Sequence, residues 1–234
     1  GDGRYHGSVS ELKLTIEYVL REKPESYWDK LSKFAPGVVP EMEHWQAAVN
    51  FIREQSIPKE LDMLLRALWI GAEAKSRGVQ HIHAHFATIS TRMAALVKIL
   101  YGIPFSFTCH AKDIFRETVN RNLFRELTDH SSFGITVSDF NRQYILDNTP
   151  GIDSDKIKRL YNGINMNFFE VPTDRSPLSA NPAKIISVGR LVPKKGFDVL
   201  LHAIKILVDE GMNLEVNIIG DGEDQEKLWQ LNQR

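Results

Sequence analysis

The chain has 234 residues, 42% of them hydrophobic, with 29 basic residues set against 30 acidic ones and a formal net charge of -1. A chain of this length can bury one large core or two modest ones, and so even a balance of charge excludes global attraction to nucleic acid, which leaves any anion site to be local. No apolar run reaches the ~18 residues of a membrane span, no basic-then-apolar signal pattern is present, and the single Cys109 excludes an internal disulfide and fits a reducing, cytoplasmic compartment.

Residues 41–77 read as helical, with Met42, Trp45, Val49 and Ile52 on one stripe, Leu61, Leu64, Leu65, Leu68 and Ala72 on another, and Pro58 between them. From Val79 short strands alternate with helices. A strand over 79–83 is expected, then a helix over 89–100 closed by Gly102, a strand over 103–108, a helix around Leu123, a strand over 134–137, a helix capped by Ser138 and a strand over 157–160. This rhythm predicts parallel strands with right-handed crossovers. Residues 170–183 hold three prolines and no periodicity, and so predict a linker. Beyond it stands a second α/β unit: a strand over 184–188, a helix over 196–210 stopped by Gly211, a strand over 214–219, the turn Gly220-Asp221-Gly222 and a further helical start. Two strands do not complete a doubly wound sheet, so this unit reads as incomplete.

The loop after the 184–188 strand carries Gly189, Arg190, Lys195 and Gly196. Two cations stand there beside a helix N-terminus whose free amides and dipole favour an anion, and a diphosphate suits the combination; simple solvation is the other fate open to them. His81, His83 and His85 alternate along a strand and so share one face, but no carboxylate or thiolate stands at ligand spacing, and no metal is expected. Gly220-Asp221-Gly222 lacks the third glycine of a dinucleotide fingerprint, which argues against a nicotinamide enzyme. In Asn162-Gly163-Ile164-Asn165 a turn is expected, with a positive backbone angle at Gly163.

Taken in chain order, His83-Ala84-His85-Phe86, Thr108-Cys109-His110-Ala111-Lys112-Asp113, Asn162-Gly163-Ile164-Asn165 and Gly189-Arg190 with Lys195-Gly196 resemble the retaining glycosyltransferases of family four, particularly those that build bacterial exopolysaccharides such as colanic acid. The resemblance spans about residues 79–228. It implies an α/β GT-B fold of two Rossmann-like domains with parallel sheets, both incomplete here. Residues 1–169 would be a partial N-terminal, acceptor-side domain, 170–183 a linker, and 184–234 the start of the C-terminal nucleotide-sugar domain.

The same resemblance implies transfer of a sugar, with retention of configuration, from a UDP- or GDP-sugar to a saccharide or lipid-linked acceptor in cell-surface polysaccharide biosynthesis, without a further cofactor or a metal. Arg190 and Lys195 would hold the diphosphate between Gly189 and Gly196, with the Gly220 and Gly222 loop close to the nucleotide. His110 would face the transferred sugar, Asp113 would orient its loop, and His85 would lie beside the cleft. Asn165 stands where the family commonly has an acid. The family's glutamate pair has no counterpart in context, since Glu17 with Glu25 and Glu215 with Glu223 are chance spacings, so the chain reads as the middle of a longer enzyme, inactive alone. A catalytically dead GT-B binding or regulatory protein and a nucleotide-sugar epimerase are the alternatives. Related enzymes work at the inner membrane face, which makes peripheral membrane contact through the Trp45 and Trp69 stripes an expectation, although both stripes read first as core-facing.

Overall fold

The computed structural model describes residues 24–33, 40–54, 60–169 and 181–233. Pro58 and positions 170–180 of the expected linker lie outside the described residues. The chain packs as two compact units, 1–163 and 164–234.

The described residues of the first unit open with the helices α1 (Pro24–Leu31), α2 (Met42–Glu54) and α3 (Glu60–Ser76), followed by β1 (Ile82–His85), α4 (Ile89–Tyr101), β2 (Phe105–Cys109), α5 (Ala111–Phe115), α6 (Arg121–His130), β3 (Phe133–Thr136), α7 (Asp139–Asn148) and β4 (Ile157–Arg159). The four strands are parallel in the order β1-β2-β3-β4, with Ile82 paired to Phe105, Ser106 to Phe133 and Gly134 to Ile157. Side chains alternate across a strand, so this register sorts the sheet into two faces. Ala84, Phe105, Phe107, Cys109 and Ile157 fall on one face and join the core made with Leu96, Leu100, Leu123, Leu127 and Ile145 of the helices. His83, His85, Ser106 and Thr108 fall on the other.

The long helices follow their apolar stripes. Leu64, Leu65, Leu68 and Ala72 of α3 are buried, as are Phe51 and Ile52 of α2, whereas Met42 at the start of its stripe is 82% exposed. Trp45 and Trp69 pack partly buried against the core, in keeping with the core-facing reading. The expected caps are also present: Gly102 closes α4 in the left-handed conformation, and the Ser138 hydroxyl accepts from Asn141 N–H at 3.1 Å.

β1 starts three residues later than the apolar pattern suggests. Gly78 turns left-handed at the end of α3, and Val79 N–H donates back to Ala74 O at 2.9 Å, so Val79 still belongs to the helix closure. Pairing begins only where Ile82 N–H reaches Pro104 O, at 3.0 Å. Gly163 also differs from expectation. It is not among the positive-φ residues, and the chain runs through 161–165 without a hydrogen-bonded turn. Asn165 instead caps the short 3-10 turn Met166–Phe168, accepting from Asn167 N–H at 3.0 Å, a task for which a neutral amide serves as well as an acid.

The second unit contains β5 (Ala183–Val188), α8 (Phe197–Asp209), β6 (Leu214–Ile219) and α9 (Gln225–Asn232), with β5 and β6 parallel and paired from Ala183–Leu214 to Val188–Ile219. Phe197, Leu191 and Leu228 are buried together, with Leu200, Leu201 and Ile218 against them. Ile186, Val188 and Ile219 on the opposite sheet face are exposed.

Candidate active site

The carboxyl ends of β1 and β2 bring His85, Phe86, His110 and Asp113 together. His85 closes β1 opposite Thr108. One residue beyond β2, His110 is the N-cap of α5, and Asp113 is the third residue of that helix. The Asp113 side chain is only 3% exposed, and its Oδ2 accepts two backbone hydrogen bonds, from His110 N–H at 3.0 Å and from Ala87 N–H at 3.1 Å. A carboxylate buried in this way is sustained by the donors that face it. One oxygen thereby ties the loop after β1 to the loop after β2.

That tie fixes the spacing of the rings above it. The His85 and His110 imidazoles stack at 6.1 Å with planes 12° apart, and the Phe86 ring lies 5.1 Å from His110. Phe86 is the one described non-glycine residue with positive φ, 71°, a conformation that costs a bulky side chain roughly 1–3 kcal/mol. Its N–H donates to Thr108 O at 2.8 Å, and its carbonyl accepts from the hydroxyls of Thr91 at 2.8 Å and Ser90 at 2.9 Å. These bonds hold the turn in place against the strain.

The three alternating histidines do converge on one face, but over hydroxyls. His83 places Nδ1 at 2.8 Å from Ser106 Oγ and Nε2 at 2.9 Å from Thr108 Oγ1, and His81 Nε2 lies 2.8 Å from the same Ser106 Oγ. Both ring nitrogens of His83 are therefore engaged. Burial, and then the neighbouring His85 and His81, hold its imidazole below the usual 6.5. Among the described residues no group of three or more His, Cys, Asp or Glu is placed to hold a metal ion.

In the second unit, Gly189 and Arg190 follow β5 directly, and Lys195 ends the 3-10 turn Pro193–Lys195 just before Gly196, which adopts the left-handed conformation (φ 68°) and opens α8. Arg190 and Lys195 are exposed and form no ion pair with a described residue. The loop after β6 docks on this one backbone to backbone. Gly189 N–H donates to Ile219 O at 3.0 Å, Leu191 N–H to Asp221 O at 2.9 Å and Asp224 N–H to Leu191 O at 3.0 Å. A Cβ on Gly220 would stand 1.8 Å from Gly189 O, and one on Gly222 would stand 2.2 Å from Leu191 O. Glycine at both places is the condition for this approach.

Two features of the site are absent from the sequence reading. α5 is too short to show periodicity, yet an acid three residues after its N-cap is half of a capping box and signals the helix start. Phe86 carries no residue-type signal, since a left-handed position favours Gly or Asn.

Successive parallel α/β units of this kind are the architecture of GT-B glycosyltransferases. The chain belongs to glycosyltransferase family 4: the sequence model of Glycosyltransferase Family 4 matches residues 31–168, and that of Glycosyl transferases group 1 matches residues 172–233. An uncharacterized glycosyltransferase of Methanocaldococcus jannaschii is 28% identical over 172 residues, covering 72% of this chain and 44% of that protein. S. aureus TarM, solved as a variant in complex with fondaparinux, alpha-GlcNAc-glycerol and UDP, is similar with a TM-score of 0.52 at 13% identity over 72% of this chain and 34% of TarM. A second crystal structure of TarM gives 0.52 and 13% over 71% and 33%. The chain thus spans less than half the length of these relatives.

Proposed function

We propose that the full-length protein is a retaining glycosyltransferase that moves a sugar from a UDP- or GDP-sugar to a saccharide or lipid-linked saccharide in cell-surface polysaccharide biosynthesis. The observation that carries this reading is the His85, Phe86 and His110 cluster at the strand ends, where open α/β sheets bind ligands, fixed from beneath by Asp113. Family membership and the UDP held by TarM support the donor class.

In this reading residues 1–169 form the acceptor side, 184–234 the start of the donor side, and 170–183 the connection. Arg190 and Lys195 neutralise the diphosphate as it leaves, and positioned cations of that kind stabilise a transition state in which negative charge builds on the leaving group. Gly189, Gly196, Gly220 and Gly222 let the backbone come close to the nucleotide. His110 holds a hydroxyl of the transferred sugar through its ring, while His85 and Phe86 fix the plane of that ring. Asp113 acts on His110 through the backbone and is a positioning residue.

The test uses the full-length protein with UDP- and GDP-sugars and an oligosaccharide acceptor, following nucleoside diphosphate release and the anomeric proton of the product by NMR. A product with the donor's anomeric configuration is expected, with His110→Ala reducing kcat by about 100-fold or more and Arg190→Ala weakening donor use. An inverted product, or free sugar epimers formed without acceptor, overturns the reading.

A further inference from the structure

A cavity of about 160 Å³ lies behind the His110 loop, between the start of α4, α5 and the start of α6. It is several times the ~30 Å³ share of one liquid water, and below the roughly 300 Å³ at which pockets for whole small molecules begin. It therefore suits one functional group of a larger ligand.

Its lining is cationic. Arg92, Lys112 and Arg116 all border it, against the single carboxylate of Asp113. Oδ2 of that carboxylate is already committed to the backbone N–H groups of Ala87 and His110. None of the three cations forms an ion pair or a side-chain hydrogen bond with a described residue, and Arg92 Nε is buried with no partner. Burial also pulls the Arg92 guanidinium below its usual range. The floor is apolar, with Phe124 and Leu127 among its lining residues, which lowers the local dielectric and raises the value of any charge pairing made there. A half-buried guanidinium without an ion pair to a described residue is costly on its own, and a planar or tetrahedral oxyanion in the cavity that Arg92 lines is the ligand that would pair with it.

We propose that this cavity is an oxyanion site that takes the carboxylate or phosphoryl group of an acidic saccharide, so that the acceptor brought to His110 is anionic. The proposal deepens the functional reading above and rests on its assignment of the first unit to the acceptor. Arg92 supplies a directional contact from its partly buried guanidinium, and Lys112 and Arg116 close over the anion from the exposed side. Sharing α5 with His110 and Asp113, the site sets where the rest of the saccharide lies relative to the imidazole.

Binding is measured on the purified protein without any nucleotide-sugar, by titrating glucuronate, inorganic phosphate and, as the neutral control, glucose, and following the Arg92 Nε–H resonance by NMR. At least one oxyanion is expected to shift that resonance, while glucose does not. The double variant Lys112→Gln with Arg116→Gln changes exposed side chains only and is expected to weaken the binding roughly tenfold or more. A preference for glucuronate identifies an acidic sugar, a preference for phosphate identifies a phosphorylated one, and either supports the site. No shift with either anion, or equal affinity in the double variant, overturns it. Because no donor is present, a failed transferase assay leaves this result standing, and an empty cavity leaves the transferase reading standing.

Discussion

The Asp113 carboxylate and the His110 backbone are joined by a 3.0 Å hydrogen bond, and the same oxygen holds Ala87 N–H at 3.1 Å, so the histidine rests on a buried acid that never touches its ring nitrogens. Removing the oxygen orphans two backbone donors, each worth about 1–3 kcal/mol when left unpaired. Asp113→Ala is therefore expected to lower stability by about 2–6 kcal/mol in urea melts. Asp113→Asn keeps an acceptor oxygen of the same reach and is expected to cost about 1 kcal/mol. Equal losses for the two variants would show that charge, and not the shared acceptor, holds the loops.

Two glycines, one in each unit, give a sharper contrast. Gly220→Ala drives a methyl group into Gly189 O at 1.8 Å, whereas nothing lies within 4 Å of a Cβ at Gly163, whose φ is not positive. Forced overpacking against backbone costs roughly 2–3 kcal/mol, so Gly220→Ala is expected to speed amide exchange in β5 and β6 by roughly thirtyfold or more. Gly163→Ala is expected to leave exchange within about twofold of the parent. Matching exchange rates for the two variants would contradict the loop-on-loop docking.

Much of this architecture is legible in the residues because local rules and tertiary packing agree there. The β6 span Leu214–Ile219, the Gly102 closure of α4 and the Ser138 cap of α7 each follow from a residue type with one strongly preferred position. Disagreement arises where longer-range bonds decide. Val79 looks like a strand residue but is claimed by the α3 closure through Ala74 O, and Phe86 takes a left-handed angle because Thr108, Thr91 and Ser90 all bond its backbone. The site follows the same division. His85, His110 and Asp113 stand out in the sequence, but their meeting point depends on the His85–Thr108 register and on an Ala87 amide that no side-chain pattern announces. Arg92 escapes notice for a related reason: in sequence it is one more cation on a helix, and only the tertiary packing around α4 makes it half-buried.

Cys109 offers a clean probe of the first unit because it is the single thiol of the chain. It is fully buried, its thiol donates to Ile135 O at 3.3 Å, and burial pushes its pKa up to about 12, with the nearby Asp113 adding to the rise. The thiolate is the reactive species, so at pH 8 labelling by an aromatic disulfide reagent is expected to run on the order of 1000-fold slower in the native protein than in urea. Rapid labelling under native conditions would place Cys109 outside the core.

Acid sensitivity provides the last test, and its direction follows from two histidines. The His83 imidazole is held below 6.5 by burial and then by His85 and His81. His130, whose ring meets Phe51 edge-on at 5.7 Å, is lowered from the same value by burial and then by Lys98 and, more weakly, Lys156, with Asp129 opposing. Between the folded-state values and 6.5 the unfolded chain binds protons that the folded chain refuses, so stability rises with pH across that window and is lost as pH falls below 6.5. Above 6.5 both states carry neutral imidazoles, and this contribution is flat. The urea midpoint is therefore expected to drop between pH 7.5 and pH 5.5. His130→Phe retains an aromatic ring against Phe51 while removing one titrating group, and is expected to shrink that drop. His83→Gln keeps hydrogen-bonding groups near Ser106 and Thr108 and is expected to shrink it further in combination. A midpoint that holds steady or climbs on acidification, or a His130→Phe variant with an undiminished drop, would mean that these rings take up protons as readily in the folded chain as in the unfolded one.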